Sequence, residues 1–136
     1  MPRMTNPSNR SQPSSTAFFS IGQQDLDAHT SVVAVTGELD LASAPSLKWT
    51  LIDLLDAGRK QLVVDLSLVS FMDSTALGVL IGVNRSLDVG ARLAIVCTNT
   101  NVLRIFEFSG LDGAFAIFST VDEALAYVRR SAVPAG

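Results

Sequence analysis

The sequence LVVDLSLVSFMDSTALGVLIG, residues 62–82, decides the fold class of this chain. It begins with an apolar run typical of a buried strand and ends with apolar residues at helical spacing. Between the two lie three small polar residues, Asp73, Ser74 and Thr75. In α/β proteins, ligands and partners commonly bind where a strand ends and a helix begins. The role of Ser74 is therefore the first functional question.

Strands and helices alternate along the rest of the chain, which predicts an α/β fold. Strands are expected over residues 18–25, 31–36, 61–66, 92–97 and 115–118, and helices over residues 44–57, 74–89, 102–108 and 121–130. A short link joins the first two strands, so they should form an antiparallel hairpin. The later strands each precede a helix, which indicates parallel pairing with right-handed crossovers. The expected product is a mixed sheet of about five strands with about four helices.

Several residues have positions typical of strand and helix ends. Gly37 is expected to end the second strand, with Asp40 just beyond the strand's carboxyl end. Ser43 precedes the first helix and is the expected N-cap. Thr120 and Glu123 have the spacing of a capping box for the last helix. For the helix that follows residue 73, Asp73 and Ser74 both suit the N-cap position, and the sequence leaves the choice open.

Length and composition indicate one domain over residues 17–130 of the 136-residue chain. Residues 1–16 contain three prolines and are mostly polar, so we expect a disordered tail, and residues 131–136 are expected to fray. With 48% hydrophobic residues, the chain has enough apolar side chains for a core. No apolar run is long enough for a membrane span and no signal peptide is recognisable, so we expect a cytoplasmic protein without membrane contact.

Charge and residue usage disfavour several classes of function. Residues 1–16 carry two arginines and no acids, so the remaining residues carry eight basic and thirteen acidic side chains, a net charge of −5. Such an acidic body argues against nucleic-acid binding. The single cysteine, Cys97, excludes an internal disulfide and is expected in the core. The single histidine, His29, is expected in an exposed turn, which disfavours metal sites and histidine-based catalysis.

The helix after Asp73 carries an unusual surface. Ser74, Gly78 and Gly82 follow one another at a spacing of four residues, on the side opposite the apolar residues. Each glycine within a helix costs about 1 kcal/mol relative to alanine, so two on one stripe require a reason. Close packing of the helix against the sheet is one explanation. We favour the other, in which a partner approaches the backbone along this stripe and Val79 provides an apolar contact.

Ser74 is a poor nucleophile and a good phosphoryl acceptor. The chain has no Gly-x-Ser-x-Gly elbow and lacks a suitable histidine base. A phosphoserine at a helix amino end would meet free N–H groups and a favourable dipole. It would add about −1.5 to −2 charges, which Asp40, Asp73 and an acidic partner would repel. Trp49, on the outer side of the first helix, is expected to fold over a neighbouring loop rather than to contact a partner.

Three segments together resemble a known family: TGELD at residues 36–40, LVVDL at residues 62–66 and VSFMDSTALGVL at residues 69–80. The chain resembles the anti-sigma factor antagonists, the single-domain members of the STAS (sulphate transporter and anti-sigma antagonist) family, whose signature is D-S-[ST]-G-L-G. Ala76 stands where the signature has glycine.

The resemblance implies a STAS-type sheet and a regulator of transcription by partner switching, in response to stress. Such proteins bind an anti-sigma factor that is also a serine kinase and thereby release a sigma factor. Phosphorylation of the first signature serine, here Ser74 with Thr75 as the second candidate, ends the binding, and a serine phosphatase resets it. The protein itself is then not an enzyme and needs no metal or cofactor, since ATP and magnesium belong to the kinase. The expected neighbours of the switch are Asp40 and Asp73, and the expected partner-binding residues are Glu38, Thr75, Gly78, Val79 and Gly82.

Two other functions compete with this one. The first is a STAS regulatory module that is never phosphorylated, either within a larger signalling complex or as a binder of a nucleotide or other small ligand at the same loops. The second is a small phosphotransfer enzyme of the receiver type, using Asp40 or Asp65 with magnesium. Whatever its function, we expect the protein to be a monomer, since the predicted apolar exposure is modest.

Overall fold

A mixed sheet with the strand order β1-β2-β3-β4-β5 organises the part of the chain that the computed structural model describes, residues 18–110 and 112–130. The strands are β1 (Phe19–Asp25), β2 (Thr30–Leu39), β3 (Gln61–Met72), β4 (Arg92–Val96) and β5 (Ala116–Phe118). The helices are α1 (Ala44–Asp56), α2 (Ser74–Arg85), α3 (Thr100–Phe108) and α4 (Val121–Arg129), with one 3₁₀ turn at Asp112–Ala114. The predicted tail 1–16 and the predicted frayed residues 131–136 lie outside the described residues.

The pairing of the strands confirms the predicted fold class. β1 and β2 form an antiparallel hairpin, and β2, β3, β4 and β5 pair in parallel. Helices α1, α2 and α3 pack on one face of the sheet and bury most of the apolar core there. On the other face, α4 packs against β3, β4 and β5 and buries a smaller cluster that includes Ala124 and Val128. None of the described helices is both long and apolar enough to cross a membrane.

β3 extends six residues beyond its predicted end at Leu66. Two irregularities in its pairing with β2, near Ala34 and Gly37, each place an extra residue in β3. The buried residues Leu66, Val69 and Met72 therefore recur every third position instead of every second. Pairing with β4 stops at Asp65, so residues 66–72 are paired only with β2. This overhang of β3 leads directly to Asp73.

Gly37 lies inside β2 and does not end it, so the predicted end of the second strand was wrong. The backbone of Gly37 has φ +100°, and a Cβ atom there would lie 1.7 Å from the carbonyl oxygen of Phe18. The Glu38 N–H donates to that same oxygen at 3.1 Å. A side chain at position 37 would therefore both strain the backbone and collide with β1. Gly37 lies at the second irregularity of the pairing with β3, and β2 continues beyond it to Leu39.

Two helix-related predictions were wrong and one was confirmed. α2 ends at Arg85 rather than residue 89, because the Ser86 N–H and hydroxyl both bond carbonyls of the last turn. Trp49 does not cover a loop, since it is 57% exposed on α1. Thr120 caps α4 as predicted, since its hydroxyl accepts from the Glu123 N–H at 3.1 Å. The Glu123 carboxylate accepts from the backbone N–H of Ser119, whereas a capping box would have it accept from the N–H of Thr120.

The single histidine and the single cysteine lie where the sequence places them. His29 is exposed in the β1–β2 turn, where the Asp27 carboxylate accepts from its backbone N–H at 2.8 Å. Cys97 is buried at the end of β4, and burial raises the pKa of its thiol. The thiol of Cys97 is therefore kept from the surface, whereas the imidazole of His29 lies on it, in a turn.

Candidate functional site

The candidate site lies at the carboxyl ends of β2 and β3, where two loops meet. The first loop, residues 40–43, joins β2 to α1, and the second is the single residue Asp73 between β3 and α2. The Asp73 N–H donates to the Leu39 carbonyl at 3.2 Å. In return, the Leu41 N–H donates to Asp73 Oδ2 at 3.1 Å. The structure thus brings the Asp40 and Ser74 segments of the sequence together.

Asp73 is the N-cap of α2, which settles the choice that the sequence left open. Its backbone is extended, and its Oδ1 accepts from the N–H groups of Thr75 and Ala76 at 2.9 and 3.1 Å. Its other oxygen holds Leu41. Both carboxylate oxygens are therefore engaged, one with the start of α2 and the other with the loop before α1.

Ser74 is the first residue of α2 and is exposed, as is Thr75. Since Asp73 provides the cap, the Ser74 hydroxyl is not needed for it, and within the described residues it makes no hydrogen bond to protein. Among the amino-terminal N–H groups of α2, those of Thr75, Ala76 and Leu77 are already bonded to Asp73. The expectation that a phosphate on Ser74 would meet free N–H groups was therefore wrong for these three.

Asp40 organises the neighbouring loop. Its Oδ1 accepts from the N–H groups of Ala42 and Ser43 at 3.0 and 3.1 Å, and from the Ser43 hydroxyl at 3.1 Å. The backbone N–H and the hydroxyl of Ser43 hold the pKa of the Asp40 carboxyl below its usual value. Asp40 is accordingly a fixed negative charge in the loop beside Asp73 and Ser74.

Ser43 occupies the N-cap position of α1 but does not cap it with its side chain, contrary to prediction. Its buried hydroxyl accepts from the Asp40 N–H at 2.8 Å, and its single proton is shared between the Glu38 carbonyl at 2.8 Å and Asp40 Oδ1 at 3.1 Å. The Ser43 hydroxyl therefore links the loop to the end of β2 and does not cap α1. The carbonyl of Asp40 accepts from the Ala44 N–H at 2.8 Å and so begins the helical bonding.

The exposed side of α2 matches the sequence prediction. Ser74, Gly78 and Gly82 are exposed, whereas Ala76, Leu77 and Leu80 are buried in the core. A Cβ atom built on Gly78 or Gly82 meets no atom within 4 Å. Close packing within the described chain therefore does not explain these glycines. Ala76, which replaces the signature glycine, faces the core as expected and its methyl is fully buried.

A groove of about 410 Å³ runs between α1 and α2 beside this stripe. Its α2 wall contains four of the predicted partner-binding residues, Thr75, Gly78, Val79 and Gly82, together with Val83 and Ser86. Its α1 wall contains Lys48 and Ile52, which the sequence analysis missed. Their spacing of four residues on one helix was the available signal, but only the packing of α1 on α2 gives that spacing a meaning.

Asn99 fixes the overhang of β3 through a contact between distant segments that the sequence does not reveal. Its Oδ1 caps α3 by accepting from the Asn101 N–H at 2.8 Å, and its Nδ2 donates to the Val69 carbonyl at 3.3 Å. Since β4 does not pair with this part of β3, the amide of Asn99 takes the place of a neighbouring strand. The segment that leads to Asp73 is thereby held on both sides.

Glu38 does not lie with the other predicted partner-binding residues. Leu39 is buried on the face covered by α1 and α2, and neighbouring residues of a strand point to opposite faces, so Glu38 points away from α2. Asp65 is likewise not part of the site: it lies where β3 pairs with Ala34 and Val96 and accepts from the Ser67 N–H at 2.9 Å. Within the described residues, no three His, Cys, Asp or Glu side chains are grouped so as to hold a metal ion.

Comparison with known proteins identifies similar chains. The model of the STAS domain matches residues 23–124. Anti-sigma-F factor antagonist RsfB of Mycobacterium tuberculosis is 31% identical over 98 residues, covering 72% of this chain and 80% of that protein. The crystal structure of an anti-sigma factor antagonist from Mycobacterium paratuberculosis superposes with a TM-score of 0.78 at 31% identity, covering 86% of this chain and 99% of the other. Bacillus SpoIIAA, solved in a phosphorylated form, gives a TM-score of 0.64 at 25% identity over 81% of this chain and all of the other.

Proposed function

The chain belongs to the STAS domain family, and from this premise we propose that it is an anti-sigma factor antagonist switched by phosphorylation of Ser74. In the unphosphorylated form it binds an anti-sigma factor that is also a serine kinase, and so releases a sigma factor. In the phosphorylated form it lets the kinase go until a serine phosphatase removes the phosphate. The protein acts in the cytoplasm as a binding module, while the kinase supplies ATP and magnesium.

The observation that carries this proposal is the state of Ser74. Its side chain is exposed at the amino end of α2, and the helix is capped by Asp73 rather than by Ser74. An acceptor serine must be reachable by a kinase and must be modified without unfolding its helix. Ser74 meets both requirements. Thr75 is exposed as well and is the second candidate.

Electrostatics explain how a phosphate would end the binding. Asp73 already holds three amino-terminal N–H groups of α2, and Asp40 lies in the adjoining loop. A phosphate of about −1.5 to −2 charges would be flanked by two carboxylates with few free donors to stabilise it. It would therefore project towards the partner. Placing such a charge against an acidic or apolar partner surface costs several kcal/mol, while the fold loses no bond.

The groove between α1 and α2 is the surface that this switch would control. Its lining starts at Thr75, next to Ser74, and continues along Gly78 and Gly82. Because both glycines leave the backbone uncovered, a partner side chain seated there would contact the helix directly. Val79 and Ile52 supply apolar contacts at the centre of the surface.

Binding and phosphorylation are tested with one set of variants. Ser74→Ala should capture the kinase from a lysate containing ATP and keep it bound, whereas Ser74→Asp should bind the purified kinase at least about tenfold more weakly, a loss of about 1.4 kcal/mol. Asn101→Asp, which adds the same charge to the first turn of α3, is the matched control and should bind as the wild type does.

Thermal denaturation and phosphopeptide mapping complete the test. Ser74→Asp should denature at the wild-type temperature, because Asp73 still caps α2. Mapping after incubation with the kinase and ATP should place the phosphate on Ser74, and Thr75→Ala should still be modified. Wild-type affinity in Ser74→Asp would contradict the switch. Partner binding without any phosphorylation would favour a STAS module of the unphosphorylated kind.

A further inference from the structure

An apolar patch is exposed on the sheet face opposite α2, at the same end of the sheet as Ser74. It consists of Phe18, Leu68 and Phe71, which are 63%, 69% and 49% exposed, with Glu38 among them. We call these four residues the outer patch. Large apolar side chains exposed singly are ordinary, but here Leu68 and Phe71 of β3 and Phe18, just before β1, lie on either side of Glu38 of β2.

The strand pairing places the outer patch on one face. Phe71 is the partner of Glu38 in β3, and the Glu38 N–H bonds the Phe18 carbonyl on the other side. Phe18, just before β1, thus lies in one row with Glu38 of β2 and Phe71 of β3, and Leu68 lies in the next row beside Thr36. Their immediate neighbours Phe19, Leu39 and Met72 pack into the core on the helix side, so alternation directs the row outward. α4 covers only β3, β4 and β5 at the other side of this face.

The carboxylate of Glu38 has no counter-charge in the described chain. Within residues 18–110 and 112–130, no arginine, lysine or histidine nitrogen lies within 4 Å of it. A carboxylate between two phenylalanine side chains suits an incoming cation, which would meet the negative charge and the faces of the rings together. Guanidinium groups are especially suited to such a setting, because they are planar and weakly hydrated.

From this arrangement we infer that the outer patch is a second contact for the anti-sigma factor, and that it receives an arginine or lysine flanked by an apolar side chain. The inference rests on the proposed function, which supplies this partner. The basic side chain lies on Glu38 between Phe18 and Phe71, and the apolar one on Leu68. The footprint of the partner then extends over the carboxyl edge of the sheet, from the groove beside α2 to the opposite face.

A second copy of the chain fits the patch poorly. A symmetric contact through this face would bring two Glu38 carboxylates together, and Asp65 lies on the same face in the pairing with Ala34. Like charges placed opposite one another oppose association. The body of the chain beyond residue 16 is also acidic overall, with eight basic and thirteen acidic side chains. A basic side chain of a partner, placed at this contact, has the complementary charge.

Charge reversal and apolar truncation test the inference. The probe is the purified anti-sigma factor retained by Ser74→Ala, titrated by calorimetry against the wild type and variants. Glu38→Lys should weaken binding at least about tenfold in low salt. The loss should be smaller at about 1 M salt, where the Debye length is about 3 Å and charges farther apart than this are screened from one another. Leu68→Ser should weaken it by a similar factor at both salt concentrations.

Matched controls come from the loop between α2 and β4, at the opposite end of the sheet. Asp88→Lys and Val89→Ser make the same chemical changes at exposed positions there and should leave the affinity unchanged. Equal affinity of Glu38→Lys and Leu68→Ser to the wild type would overturn the inference while leaving the proposed function intact. If the wild type itself binds no anti-sigma factor, the proposed function fails, and the inference with it.

Other occupants of the patch would produce different results. If Leu68→Ser converts a dimer of the wild type into a monomer in sedimentation, the patch joins two copies and the inference is overturned. If Leu68→Ser loses thermal stability only when residues 1–16 are present, the patch contacts that segment of the chain and the inference is again overturned. Weaker binding with unchanged mass and unchanged stability supports it.

Discussion

Replacing Gly78 or Gly82 with alanine should stabilise the protein and impair its binding. A Cβ atom at either position meets nothing within 4 Å, so the substitution introduces no clash. Alanine is favoured over glycine in a helix by about 1 kcal/mol, because glycine loses more backbone entropy on folding. Each variant should thus gain about 1 kcal/mol in unfolding free energy, which raises the Tm of a domain of this size by about 4 °C.

The same methyl group should weaken the complex with the anti-sigma factor. Both glycines line the groove between α1 and α2, and a partner that contacts the exposed backbone would meet the new Cβ. Overfilling a packed contact costs about 1–3 kcal/mol, so the affinity should fall at least about fivefold. Thermal denaturation measures the first effect and calorimetry with the purified partner the second. The product is a more stable protein that binds less well.

Two results would refute this reasoning separately. A lower Tm for either alanine variant would mean that the fold needs the glycine, so that the interpretation of a partner surface has no basis. A higher Tm with wild-type affinity would mean that the partner does not approach the helix backbone. Gly37→Ala is a control in which the same substitution should destabilise the fold. Its Cβ would lie 1.7 Å from the Phe18 carbonyl oxygen, so this variant should lower the Tm sharply.

Two further variants test the loops around Ser74. Asn99→Asp keeps the cap of α3 but removes the donor to the Val69 carbonyl, so it should cost about 1–3 kcal/mol of unfolding free energy and speed amide exchange in residues 69–72. Wild-type stability and exchange in this variant would show that the tether contributes nothing. The pKa of Asp40 is lowered in the folded state, chiefly by the Ser43 N–H, so its stabilisation is complete above the unfolded pKa of about 3.9 and is lost as the pH falls through the folded value. The difference in urea midpoint between the wild type and Asp40→Asn should therefore be constant at neutral pH and shrink below about pH 4. A difference that does not change with pH would contradict the role of the Asp40 charge.

The sequence predicted those parts of the fold that follow from local pattern. The five strands, the four helices and the antiparallel hairpin follow from hydrophobic period and short polar links. The side of α2 that carries Ser74, Gly78 and Gly82 followed from the helical repeat alone. These features depend on neighbours in the chain, and a single sequence contains that information.

Features that depend on pairing between distant segments were missed. The last six residues of β3 escaped prediction because two extra residues in the pairing with β2 change the spacing of buried side chains from two to three. For the same reason, nothing in the apolar run indicated that Leu68 and Phe71 point outward. Lys48 and Ile52 became part of the site only through the packing of α1 on α2.

The double engagement of Asp73 has a consequence for the kinetics of recognition. One carboxylate fixes the start of α2 and, through the Leu41 N–H, the loop that leads into α1, so both walls of the groove are set before any partner arrives. Binding then requires little ordering of the backbone, and the entropy cost of association falls mainly on side chains. Association should accordingly resemble docking of preformed surfaces, and under the proposed switch a phosphate on Ser74 would act on the lifetime of a complex whose geometry is already in place.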